Sequence, residues 1–477
     1  MRFILHKLRM AFLSSLGSGA ATDTSAPALA PPALAAPPTT ASIYDVRVFG
    51  AVGDGKTFNT SALQSAIDQC SAVGGGIVLV AGGRYVTGTL YLKSNVCLRV
   101  ESGTAILGST RIADYTTDTD RTMYRGEPHM DRCLIFAEDA QNISIEGLGT
   151  IDGQGSSFPE PGDPQGNRPK LIRLLRCSRI RVRDITLQSP ASWTTEWRYC
   201  SDIAVDGITI FSRANWNGDG LDFDGCSTVR VSNSTFDTSD DAICLQTSLV
   251  EKPCQDVVIT NCSFTSKWAG IRIGLLSRGD FENVVVTNCT FRDHDDSGLK
   301  IQMCEGAAMR NMIFSNLVMK NVPRPVFLTF CQQRAWVDAP PELAPMQQVC
   351  NIQFSNIIVD SDTGGKNAAF IVTGLPRHPV EGITFSDIRA TFPGGGTPED
   401  AQHVLAELTP ENLNDRWPEY DGLRGTVPAH GLYARHVKGI TLRNIDFSTK
   451  ATDARPAVVL VDVSASKMVD SPDLNNR

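Results

Sequence analysis

The chain has no basic run, and its 44 Lys and Arg against 52 Asp and Glu leave a net charge of −8. That balance argues against nucleic acid and anionic membrane surfaces as partners. No apolar stretch reaches the roughly 18 residues that a membrane-crossing helix needs. Neither a Cys-x-x-Cys pair nor a Cys/His spacing suited to zinc occurs, so no zinc site is expected. The glycines at 74–76 are not followed by the strand–helix unit of a phosphate loop, and they read as a turn. Thirteen cysteines are an odd number, so at least one thiol is unpaired. Several recur in step with one another (Cys177, Cys200, Cys226, then Cys262 and Cys289), and interior packing is expected of them rather than a disulfide framework.

What is present begins with a segment that does not read as fold. Arg2, Lys7 and Arg9 precede a short apolar run from Met10 to Leu16 and the small residues Gly19, Ala20 and Ala21, in the manner of a weak signal peptide. An Ala/Pro/Thr-rich stretch with Pro27, Pro31, Pro32, Pro37 and Pro38 follows as an extended linker. Residues 1–42 are therefore set apart, and a secreted or periplasmic protein is expected.

From about residue 140 one phrase recurs: an alternating apolar pair, a polar residue, Asn or Asp, and a second apolar pair. It reads IRVRDITL at 180–187, IAVDGITI at 203–210, VRVSNSTF at 229–236, VVITNCSF at 257–264 and VVVTNCTF at 284–291. Four further copies start at 312, 352, 383 and 440. The Asn/Asp positions are 184, 206, 233, 261, 288, 316, 356, 387 and 444. A repeat of 20–30 residues built on period-two alternation means a solenoid of β-strands, and Asn or Asp suits the left-handed corner between two strands. One turn of chain per repeat makes neighbouring strands parallel. The expected fold is an all-β, single-stranded, right-handed parallel β-helix over 43–465, with a short tail at 466–477. The wider gaps hold insertions at 331–350 and 391–435, expected to project as loops. Residues 60–70 form a helix with Asn59 or Thr60 as cap, and its Leu63, Ala66, Ile67 and Cys70 close one end of the solenoid.

Stacking the coils about 4.8 Å apart aligns GDGLDFD (218–224), DDAICLQ (240–246), WAGIRIG (268–274) and DHDDSGLKIQ (293–302). Columns then form: Asp219/Asp241/Ala269/Ser297, Gly218/Asp240/Trp268/Asp296 and Asp222/Cys244/Arg272/Lys300. Stacked carboxylates repel, so a fold that keeps three in one patch is expected to use them. Isolated turn residues such as Asp184 and Asp206 are not counted with them.

FGAVGDG (49–55), IDGQG (151–155), NGDGLDFDGC (217–226), SDDAICL (239–245) and PAHGLYARHVKGITLRNI (428–445) resemble the polygalacturonase-like glycoside hydrolases of family 28. The resemblance spans about Ile43 to Phe447. It implies hydrolysis of galacturonan-type pectic chains with inversion and without a metal. The Asn-x-Asp-Gly motif falls on Asn217, Asp219 and Gly220, and the Asp-Asp pair on Asp240 and Asp241. Two motifs depart: Ala269 stands where the family has the His of Gly-His-Gly, and Arg-Ile-Lys reads Lys300-Ile301-Gln302. Arg272 stands where the family usually has a small residue. The Trp-small-Gly segment without His also resembles rhamnogalacturonan hydrolases.

Glycoside hydrolysis needs a proton for the departing oxygen and an activated water. By resemblance Asp240 is the acid, and Asp219 and Asp241 hold the water. Asn217, Trp268, Arg272, Lys300 and Gln302 are candidate substrate-binding residues, with a uronate carboxylate as the partner of the two stacked cations. His294 gets no role and is taken for a surface residue. The expected partner is a pectic poly- or oligosaccharide and the expected state a monomer. Two other classes remain open at this point: a pectate-lyase-like eliminase and a non-catalytic carbohydrate-binding β-helix.

Overall fold

The computed structural model describes residues 42–119, 130–160, 162, 166–331, 348–409, 411–412, 420, 425–471 and 474. The targeting segment and linker expected over 1–42 lie, apart from Ser42, outside these residues.

Each coil lays down three strands, and each strand pairs in parallel with its counterpart on the next coil. Ser201–Asp206 pairs with Ser227–Ser232, Thr209–Ser212 with Thr235–Thr238, and Leu221–Asp224 with Ile243–Thr247. From Phe281–Arg292 onward the first two strands of a coil run together as one long strand. The result is the right-handed parallel β-helix expected from the repeat. Alternation sorts the side chains: Val229 and Val231 are buried while Arg230 between them is exposed. Interior rings stack from coil to coil, Phe236–Phe264–Phe291 at 5.0 and 4.9 Å and Phe314–Phe354–Phe385 at 5.1 and 4.8 Å.

The corners carry the repeated Asn or Asp with positive φ, from 50° at Asn444 to 61° at Asp184. Their amides bond along the helix axis, as in Asn316 Nδ2 to Asn288 Oδ1 (3.0 Å) and Asn356 Nδ2 to Asn316 Oδ1 (2.8 Å). One corner differs from expectation. At the 206 repeat Gly207 takes the left-handed position (φ 67°). Asp206 stays in the strand, and its carboxylate accepts Ser232 Oγ (2.6 Å) and Asn233 Nδ2 (2.7 Å).

The helix Thr60–Ala72 buries Leu63, Ala66, Ile67 and Cys70 against the first coil. Asn59 is the N-cap as expected, but its side chain makes no cap hydrogen bond. Asn59 instead accepts the Val52 N–H (2.7 Å), and Thr60 Oγ1 accepts that of Gly88 (2.7 Å), so both serve the loops beside the helix. At the other end Lys467–Val469 pairs with Thr441–Arg443, which carries the ladder past the expected boundary at 465. Of the first insertion, 332–347 lie outside the described residues. The second does not simply project: Leu405 and Leu408 are buried, and Arg435 Nη1 donates to the Leu405 carbonyl (2.9 Å). Cys177, Cys200, Cys226, Cys262 and Cys289 are buried free thiols as expected, but Cys304 and Cys331 form a disulfide.

Candidate active site

The carboxylates sit in the turn that leads into the third strand of successive coils. Leu221 pairs with Ile243 and Ile243 with Ile271, so Asp219 and Asp241 occupy equal positions, with Asp240 one residue before. The Gly220 N–H donates to the Asp241 carbonyl (3.0 Å). A Cβ on Gly220 would lie 2.3 Å from the Ala242 carbonyl oxygen, so glycine is required for the coils to close here. The backbone thereby brings one oxygen each of Asp219, Asp240 and Asp241 within 4.8 Å of one another.

The three carboxylates differ in surroundings. Asp241 is buried; its Oδ1 accepts the Ala269 N–H (3.1 Å) and its Oδ2 the Arg272 Nη1 (2.9 Å). Asp219 is buried as well, and its Oδ1 has no hydrogen-bond partner. Burial first, then the charges of Asp240, Asp222 and Asp241, push its carboxyl well above the ordinary range. Asp240 is half-buried and the most reachable of the three. Its Oδ1 accepts the Asp241 N–H (2.9 Å), and burial, then the Asp241 charge, push it up to about 7 against the pull of Arg272. Asn217, left-handed at φ 52°, points Nδ2 at Asp240 Oδ2 (3.5 Å).

The expected column Asp222/Cys244/Arg272/Lys300 forms in register. The expectation that its two cations lack a protein anion is overturned. Arg272 is paired with Asp241, and Lys300 Nζ lies 2.7 Å from Asp296 Oδ2. Arg324 also reaches Asp296 (2.9 Å). Burial works upward on Asp296, but Lys300 and Arg324 outweigh it and hold the carboxyl low. Gln302 accepts Arg272 Nε (3.0 Å) and Nη2 (2.8 Å) on one oxygen. Arg272 is 6% exposed, and Lys300 and Gln302 are both 0% exposed. These three candidates for binding substrate are thus spent on protein contacts beneath the surface. Trp268 is the exception at 36% exposed, its ring 5.3 Å from Lys300 Nζ.

His294, taken for a surface residue, is buried under Gly270, with Nε2 3.3 Å from the Phe264 carbonyl oxygen, just after the left-handed backbone at Asp293 (φ 55°). The sequence reading also missed a contact. Arg168 Nη2 donates to Asn217 Oδ1 (2.8 Å), and its guanidinium lies 4.2 Å from the ring of Trp216, which is 58% exposed. Arg168 lies outside the repeated phrase, so periodicity carries no signal for it. Asp222 falls with Asp219 and Cys244 in a second group whose ligand atoms lie within 4.8 Å, and neither of its oxygens has a hydrogen-bond partner. In the Asp219/Asp240/Asp241 group, Arg272 already supplies a positive charge against Asp241.

This parallel β-helix with clustered carboxylates on adjacent coils has known relatives, and they give the family. The sequence profile of glycosyl hydrolases family 28 matches residues 70–407, and the chain belongs to that family; it is a glycosidase. A probable polygalacturonase of Vitis vinifera is 26% identical over 422 residues, covering 82% of this chain and 84% of the relative. An exo-poly-alpha-D-galacturonosidase of Dickeya chrysanthemi is 25% identical over 391 residues, covering 70% of this chain and 64% of that enzyme. Among solved structures, the family 28 exopolygalacturonase of Yersinia enterocolitica superposes with a TM-score of 0.68 at 19% identity, over 90% of this chain and 78% of that one. At that identity the likeness speaks for the fold alone.

Proposed function

We propose that this glycosidase cleaves galacturonate-containing pectic chains by direct displacement, with inversion. The observation that carries the reading is the carboxylate trio, of which the one reachable member is pushed up to about 7. Asp240 donates its proton to the departing glycosidic oxygen. Asp219 and Asp241 hold the attacking water. Burial and neighbouring charge push both Asp219 and Asp240 upward, and Asp240 delivers the proton because it is the more open of the two to a ligand. Trp268, and Trp216 on the other side of Asn217, offer ring faces for a sugar. Asn217 orients Asp240. The rhamnogalacturonan alternative rests on the same residues and differs in the sugar accepted.

The 4.8 Å grouping favours a second reading of the stereochemistry. Acid and base of inverting enzymes lie about 6.5–9.5 Å apart, and those of retaining enzymes about 5–5.5 Å. Incubating the protein with homogalacturonan, rhamnogalacturonan and short galacturonosides, and following the first anomer formed by NMR, decides both substrate and stereochemistry. New reducing ends with an inverted anomer support the proposal, and a retained anomer replaces it with a covalent mechanism. An unsaturated, UV-absorbing product would mean elimination instead, and binding without any cleavage a non-catalytic module.

We also propose export from the cytoplasm and a monomeric state. The Cys304–Cys331 bridge is compatible with an oxidising compartment. N-terminal sequencing of the mature protein and its sedimentation test these two statements.

A further inference from the structure

We propose that Arg272 and Gln302 act as one positioning unit that holds the Asp241 carboxylate in the orientation it needs to hold the attacking water. The inference rests on the reading of that cluster given above.

Three carboxylates within 4.8 Å repel one another, and a guanidinium anchors Asp241 against that repulsion: Arg272 Nη1 lies 2.9 Å from Asp241 Oδ2. The other Asp241 oxygen accepts the Ala269 N–H (3.1 Å), so fixed donors meet both oxygens. Gln302 sets the direction of the guanidinium by accepting Nε and Nη2 on a single oxygen at 3.0 and 2.8 Å. A planar fork held along one edge presents its remaining nitrogen in one direction. The remaining groups around Asp241 are Asp219, Asp222, Asp240, the Cys244 thiol (Sγ to Oδ2 3.6 Å) and, further along the column, Lys300, which is engaged by Asp296. None of the carboxylates in that set can replace the guanidinium.

This arrangement explains two departures of the sequence at once. Arg272 stands where the resemblance leads one to expect a small residue, and Gln302 where it leads one to expect Lys. A Lys ammonium at 302 would be a donor facing a donor, and it would push Arg272 off Asp241. Arginine at 272 therefore requires an acceptor at 302. Neither residue is exposed enough to touch a sugar, which separates this role from substrate binding.

The test compares wild type with Arg272→Gln, Gln302→Lys and the milder Gln302→Met. With a pectic substrate, kcat should fall at least about tenfold, with KM within a factor of two. A second measurement needs no substrate: crystal structures of the variants should show the Asp241 carboxylate turned away from its wild-type place. A raised KM with kcat near the wild-type value would overturn the proposal and return Arg272 to substrate binding. An Asp241 carboxylate left in its wild-type place in every variant would overturn it as well. Wild type that releases no sugar from any pectic substrate would sink the functional reading, while the crystal structures would still judge this one.

Discussion

One register position on the third strand of each coil reads, from coil to coil, Phe136, Arg173, Glu196, Asp222, Cys244, Arg272, Lys300, Phe327, Ile371, Tyr433 and Val459. The central coils put charge and a thiol there; the flanking coils put rings and aliphatic side chains. The backbone ladder is the same in both regions, so the fold does not ask for the charges. Burying them opposes folding unless they are paired. Some are, as in Lys170–Glu196 (2.8 Å) and Arg173–Glu196 (2.5 Å), but Asp219 and Asp222 keep unpartnered oxygens. A solenoid can carry such a stretch because each coil depends mainly on its two neighbours.

The sharpest way to break that contrast is Asp240→Asn, which removes the donated proton and keeps the side-chain shape. We expect kcat to fall by about 10²–10⁴ with the melting temperature nearly unchanged. Turnover close to wild type would move the acid to another carboxyl, Asp219 first, since it too is pushed upward.

The converse substitution lies in the flanking coils. Phe354 stacks between Phe314 and Phe385 at 5.1 and 4.8 Å. Phe354→Ala should destabilise by about 3–5 kcal/mol, read from urea unfolding, with kcat preserved at temperatures where the variant is folded. A large loss of kcat in the folded variant would show that the two regions are coupled.

How legible these regions were follows from which part of the chain sets them. The repeat spacing fixed the strand register, so the Asp219/Asp241 alignment and the Asp222/Cys244/Arg272/Lys300 column are readable from the sequence. Side-chain pairing across coils is not. Asp296 lies four residues before Lys300 and outside its column, yet a lysine stem long enough to bend back reaches it. Arg272 likewise reaches diagonally to Asp241 instead of facing outward. The Arg168–Asn217 bond joins residues 49 apart in a stretch without the repeated phrase. The Cys304–Cys331 bridge did leave a signal: the two cysteines are 27 residues apart, one repeat, and each directly follows a paired strand.

A smaller effect separates the site from the rest of the coil through pH. Asp240 must be protonated to act and is pushed up to about 7, so kcat should be present below that pH and decline as pH rises through it. In Asp240→Asn this alkaline limb should vanish from the residual activity. A wild-type limb near the ordinary carboxylate range, about 4, would mean that the cluster is hydrated in solution and that burial does not tune it.

The smallest expected effect concerns the corners, where the two regions are alike. Asn316 has φ 56° and bonds to Asn288 and Asn356 in an axial ladder. Asn316→Gly keeps the left-handed corner accessible but deletes the amide, so it reports the ladder bonds, about 0.5–1.5 kcal/mol each at exposed positions. Asn316→Ala deletes the amide and also forces a Cβ-bearing residue without a polar side chain into left-handed backbone, which adds about 1 kcal/mol. Alanine should therefore be less stable than glycine, which should be less stable than asparagine, with activity unchanged in both variants. Glycine equal to asparagine would mean that the ladder contributes nothing net, leaving backbone geometry alone to explain why Asn recurs at these corners. Gly207, which takes one of these corners without any side chain, is the natural precedent for that outcome.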